Sequence, residues 1–73
     1  MKKYYDIAGK NFDYECWETL GKTNTLKQAI QFIKKNVDLK PYTDEDGIVW
    51  IDINLVIDDD LIETYDMNGK KRG

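Results

Sequence analysis

Seventy-three residues with a net charge of −3, one cysteine and no histidine leave room for a single domain and little chemistry. The absent histidine removes the commonest general base and metal ligand, and with it any Ser-His-Asp or Cys-His arrangement. Cys16 has no partner for an internal disulfide, which secreted chains this short normally need, and no run reaches the roughly 18 apolar residues of a membrane span. The expectation is a cytoplasmic protein.

Lys3–Ala8 alternates as a strand, with Tyr5 and Ile7 on one face and Tyr4, Asp6 and Ala8 on the other. Gly9-Lys10-Asn11 has turn chemistry, because Gly and Asn tolerate positive φ. Phe12–Leu20 resumes the alternation and places Phe12, Tyr14 and Cys16 together, so the two runs are predicted to form an antiparallel hairpin. Within it Cys16 reads as a small buried hydrophobe rather than a reactive thiol.

Gly21–Asn24 connects to the clearest element. Leu26, Ala29, Ile30, Ile33 and Val37 form one stripe of a 3.6-residue helix. Thr25 stands at the N-cap and Gln28 three residues on, as in a capping box. Lys34 and Lys35 suit the negative end of the helix dipole, and Asn36 suits a left-handed cap.

Val37–Gly47, with Pro41 and Thr43-Asp44-Glu45-Asp46-Gly47, is predicted to be an exposed loop. In Ile48–Ile57, Val49, Ile51, Ile53, Leu55 and Ile57 are apolar at period two, the strongest strand pattern in the chain. Asp58-Asp59-Asp60 makes a tight connection to a return strand, Leu61–Met67. Residues 1–67 then form the domain, and Asn68–Gly73 a flexible basic tail.

The resulting β-β-α-β-β order implies a two-layer α+β domain, a four-stranded, mainly antiparallel sheet packed on one helix. The most apolar strand belongs inside the sheet, which favours the order 2-1-3-4 over a β-grasp-like alternative with the first and last strands central.

Asp44, Asp46 and Gly47 echo part of a calcium loop, yet Tyr42 and Ile53 stand where the first ligand and the bidentate Glu belong. No catalytic, cofactor or metal site is expected. Charge is the more informative feature. Met1–Asn36 sets seven lysines against four acids, whereas Val37–Asp66 sets ten acids against Lys40 alone.

The expected fold lines up Asp44, Glu45, Asp46, Asp52, Asp58, Asp59, Asp60, Glu63 and Asp66 over one half of the molecule, all but Asp66 being expected contacts. Beside them lies the sheet face carrying Trp50, which a single helix leaves uncovered, with Trp17 and Ile62 as its neighbours. These acids and Trp50 are the expected contact set of a small acidic, non-enzymatic protein-binding module. The Lys-, Asn- and Ile-rich composition of AT-rich coding suggests a narrower form: a phage or mobile-element inhibitor of a host nucleic-acid-handling protein, its acids standing in for phosphates. The alternatives are a structural homo-oligomer, in its simplest form a homodimer, pairing through the outer sheet face or an exposed edge strand, and a weak nucleic-acid binder using the N-terminal lysines. The net negative charge counts against the last.

Overall fold

The period-two aliphatic run forms a strand in the middle of the sheet, and its pairing with the first strand makes the core. The computed structural model describes residues 1–72. It contains β1 (Lys3–Asn11), β2 (Cys16–Thr23), α1 (Leu26–Asn36), a 3-10 turn (Lys40–Tyr42), β3 (Ile51–Ile57) and β4 (Asp60–Asp66). The strands lie in the order β2-β1-β3-β4, each neighbour antiparallel, in the α+β arrangement expected.

Register explains the core. Ile7 stands opposite Ile53, and Gly9 opposite Ile51, so β1 and β3 turn these positions to one side together. Ile7, Ile51 and Ile53 are fully buried there beneath Ala29 and Ile33 of α1. Each such aliphatic side chain contributes about 1.5–3 kcal/mol when removed from water. Among the described residues no helix is long and apolar enough to cross a membrane.

Helix α1 starts as its sequence implies. Thr25 Oγ1 accepts from the Gln28 N–H at 3.1 Å, while Gln28 Oε1 accepts from the Asn24 N–H at 3.2 Å, one residue before the N-cap. The C-terminus departs from expectation. Instead of a left-handed Asn36, the cap is an extended Val37 (φ −108°) whose N–H donates to the Ile33 carbonyl. The extended exit sends Val37 and Leu39 toward the core, which both of them join.

The first turn lies further along than the sequence suggested. Gly9, Lys10 and Asn11 remain in β1, and the reversal occupies Phe12–Glu15, with Glu15 at φ 53°. Asn11 Oδ1 accepts from the Asp13 N–H at 2.9 Å, and the Phe12 N–H donates to the Pro41 carbonyl at 2.9 Å. Gly9 is needed for space rather than for turning, since a Cβ there would sit 2.7 Å from the Tyr42 ring. The shifted turn puts Cys16 at the exposed start of β2, opposite Asn11, and not in the buried position expected of it.

The predicted strand Ile48–Ile57 is divided. Ile48–Trp50 pairs back onto the preceding segment, with the Asp44 N–H donating to the Ile48 carbonyl and the Trp50 N–H to the Tyr42 carbonyl. The loop expected over Val37–Gly47 is therefore partly structural, and Leu39 and Tyr42 pack on the core.

Asn68–Arg72, expected as a flexible tail, turns back on β4. Tyr65 bridges to Lys71, and the Arg72 N–H donates to the Thr64 carbonyl at 2.8 Å. Gly69, at φ 88°, rests against Ile30 of α1. Gly73 lies outside the described residues.

Two substitutions test these backbone assignments by urea unfolding. Asp58 and Asp59 form the two-residue β3–β4 turn at φ 50° and 70°, the signature of a type I′ turn that favours glycine at its second position. Asp59→Gly should stabilise by about 0.5–1 kcal/mol. Gly69→Ala meets both a left-handed φ and Ile30 Cδ1 at 2.6 Å, and should destabilise by about 1–3 kcal/mol.

Candidate functional site

On the sheet face away from α1, register sets Trp17 of β2 beside Lys10 of β1, and the Lys10 N–H donates to the Trp50 carbonyl on the other side. One row therefore reads Trp17 on β2, Lys10 on β1 and Trp50 just ahead of β3. The indole rings of Trp17 and Trp50 meet edge-to-face at 6.5 Å between centroids, and Phe12 meets Trp50 edge-to-face at 6.1 Å. Lys10 Nζ stands 5.3 Å from the centre of the Trp50 ring and 5.4 Å from that of Phe12. Trp17 and Trp50 nevertheless remain 49% and 40% exposed, and Ile48 beside them is exposed as well.

The next row explains why this aromatic row stands proud. Thr19, Ala8 and Asp52 follow Trp17, Lys10 and Trp50 along their strands, and Ala8 is small. A groove of about 210 Å³ lies beside the aromatic row, lined by Trp17, Ile48, Val49, Trp50, Asp52 and Arg72. Arg72 Nε contacts Asp52 Oδ1 at 2.7 Å and closes one end.

Asp44 holds the aromatic row in place. Its Oδ1 accepts from the backbone N–H groups of Asp46 and Ile48, each at 2.9 Å, which shapes the Thr43–Val49 hairpin. Its Oδ2 accepts from the Trp50 indole N–H at 2.8 Å. The Trp50 hydrogen bond above all, then those from the Ile48 and Asp46 amides, keep the carboxyl below the ordinary aspartate range. Asp44 is thus a structural acid, although its sequence context suggests a free one.

The structure distributes the other expected contact residues differently from the single acidic half anticipated. Glu45 and Asp46 sit at the exposed tip of the Thr43–Val49 hairpin, beside Ile48 and Trp50. Asp58, Asp59 and Asp60 lie at the other end of β3, about 20 Å away by strand rise. Asp58 Oδ1 accepts from the Lys2 N–H at 2.8 Å. Asp52 faces the outer groove but is paired with Arg72. Glu63 lies in register with the buried Leu55, accepts from the Tyr65 hydroxyl and pairs with Lys71 at 3.2 Å. These two partners hold Glu63 below the ordinary carboxylate range, while its acceptance of the phenol proton is the chief cause raising Tyr65 to about 12.

Of the expected set, then, Asp44, Glu45, Asp46, Trp50 and Asp52 share one region, and Asp58, Asp59, Asp60 and Glu63 do not join it. Lys10, Phe12 and Arg72 belong to the region but not to the expected set. Their position follows from strand register and from the turn at residues 66–70, neither of which is a local property of the sequence. Among the described residues no three Cys, Asp or Glu side chains are grouped as a metal site requires.

Comparison of the chain with family models, with curated proteins and with solved structures finds no match.

The depressed Asp44 carboxyl has a consequence for pH. A group whose folded pKa lies below its unfolded value contributes stability above the ordinary carboxylate range and loses it as pH falls through the folded value. Glu63 and Asp66 are shifted the same way. Thermal stability should hold from neutrality to about pH 5 and fall below about pH 4. Asp44→Asn keeps an oxygen for the hairpin amides but sets an amide donor against the indole N–H. It should red-shift Trp fluorescence at neutral pH and flatten the acid limb of the melting-temperature profile.

Proposed function

We propose that the chain is a non-enzymatic protein-binding module whose contact surface is the outer sheet face at Trp17 and Trp50, extended by the acidic tip of the Thr43–Val49 hairpin. One observation carries the reading. Two tryptophans meet on the face that no helix covers, and both keep close to half their surface in water beside an exposed isoleucine. Contiguous exposed aromatic surface marks contact sites, and tryptophan is enriched among residues that dominate binding energy.

The chemistry of the surface describes its partner. Glu45 and Asp46 form no side-chain hydrogen bond or ion pair among the described residues, and they border the apolar patch. They call for a protein with an apolar contact spot flanked by basic side chains. An inhibitor of a nucleic-acid-handling protein is the narrower form of this proposal, since such proteins carry basic grooves. The hairpin tip and the Trp pair would then be the part that docks; a continuous phosphate-like row of acids is not required.

The test is affinity capture from lysate of the source organism, followed by titration with the captured partner. Trp17→Ala leaves the Asp44–Trp50 bond intact and should weaken binding about 30-fold or more, the effect of losing a central aromatic contact. Glu45→Lys with Asp46→Lys should slow association, and more so at low salt. Unchanged affinity in Trp17→Ala would remove this face from the account. Sedimentation as a dimer that Trp17→Ala dissociates would assign the face to a second copy instead.

A further inference from the structure

On the helix side of the sheet, away from the tryptophans, the C-terminal turn of α1 and the 3-10 turn leave a cleft of about 200 Å³. Leu20, Phe32, Val37, Pro41 and Tyr42 line it with apolar surface, and Asn36 and Asp38 add polar groups. This is smaller than the roughly 300 Å³ at which small-molecule sites begin, and it suits one inserted side chain.

Two carboxylates stand at the cleft, Asp38 in its lining and Glu18 beside Tyr42. Asn36 and Val37 stand at the end of an eleven-residue helix, whose partial negative charge Lys34 and Lys35 in the same turn offset. Asp38 Oδ1 accepts from the Lys40 N–H at 3.2 Å, which leaves its second oxygen free. Glu18, held by the Asn11 amide at 2.7 Å, approaches from β2. Tyr42 senses both acids: burial first, then the charge and hydrogen bond of Glu18, then the charge of Asp38, push its phenol up. The ion pairs among the described residues are Lys71 with Glu63 and Arg72 with Asp52, so neither cleft acid is held in a direct ion pair.

We propose that this cleft receives a single arginine side chain presented by a basic segment of a partner protein. Its stem would lie on Leu20, Val37 and Pro41, with the guanidinium between the aromatic rings and Asp38. Arginine fits better than lysine because a planar, weakly hydrated guanidinium stacks on aromatic rings while bonding a carboxylate. The site stands independently of the tryptophan face: either can fail without the other.

The experiment is an NMR titration of the full chain at constant ionic strength with N-acetyl-arginine amide, against the neutral isostere N-acetyl-citrulline amide. Saturable shifts at Leu20, Asn36 and Val37 are expected, with the citrulline compound at least fivefold weaker. Asp38→Asn retains the oxygen that closes the turn onto Lys40, and should weaken the arginine compound about three- to fivefold while leaving the citrulline compound unchanged. Equal responses to the two compounds, shifts that stay linear, or saturable shifts confined to Trp17 and Trp50 would each overturn the proposal. The wild-type comparison of the two compounds decides the matter even if the variant does not fold.

Discussion

Ile7 opposite Ile53, pressed from above by Ala29 and Ile33, is the contact on which everything else in the domain is arranged. A helix of eleven residues spans about 16 Å and lays one stripe of side chains on the sheet. It covers the middle of one face and no more. The margins of that face are closed by side chains fitted into glycine gaps: the Tyr42 ring over Gly9, the Phe32 ring over Gly21 and Ile30 against Gly69. Each gap exists because a side chain there would occupy the space of its cover. The C-terminal turn belongs to this inner layer, since Gly69 also approaches Leu26 at the start of the helix. With all covering material spent on one side, the outer side keeps its aromatics in water.

The acids are less of a free surface than their number suggests. Asp44-Glu45-Asp46-Gly47-Ile48 and Asp66-Met67-Asn68-Gly69-Lys70 are two copies of one hairpin loop. In both, Oδ1 of the leading Asp accepts from the amides two and four residues on, and the glycine takes a positive φ of 81° or 88°. In both, the first and fifth residues also pair through the backbone. What resembles a fragment of a calcium loop is a rule for closing a five-residue turn. The second copy brings Lys71 and Arg72 back onto the sheet, where one pairs with Glu63 and the other with Asp52. Exposed pairs of this kind add little stability, about 0–1 kcal/mol each, but they remove two acids from the charge a partner would meet.

How much was legible in the sequence followed from how local each determinant is. The helix stripe from Leu26 to Ile33, its Thr25 cap and the Ile51–Ile57 part of the alternation expected over Ile48–Ile57 are set by neighbours within a few residues, and all three stand in the structure. The strand order was also readable, because it needed only the most apolar strand to lie inside. The first hairpin was misplaced for a physical reason. Glycine reads locally as backbone freedom, yet Gly9 is required for the absence of a side chain beneath Tyr42, 33 residues away. That single ambiguity moved the turn and with it the expected burial of Cys16. At the candidate site, Trp50 and its outward direction were legible from alternation alone. Its row with Lys10 and Trp17 was not, since that depends on the β1–β3 and β1–β2 registers.

The size of the outer face bears on what can dock there. Four strands of seven to nine residues, spaced about 4.8 Å apart and rising about 3.3 Å per residue, present roughly 500 Å². A stable protein interface buries about 800 Å² per partner. A partner resting on the flat face alone would make roughly 60% of such a contact, so two copies stacked face to face fall short as well. The missing area must come from beyond the sheet, and in this fold the element that projects from the Trp50 end is the Thr43–Val49 hairpin with Glu45, Asp46 and Ile48. Asp44 joins the two by holding the hairpin amides with one oxygen and the Trp50 indole with the other. Asp44 thereby ties the sheet face carrying Trp50 to the acidic hairpin tip, the two parts of the proposed contact surface.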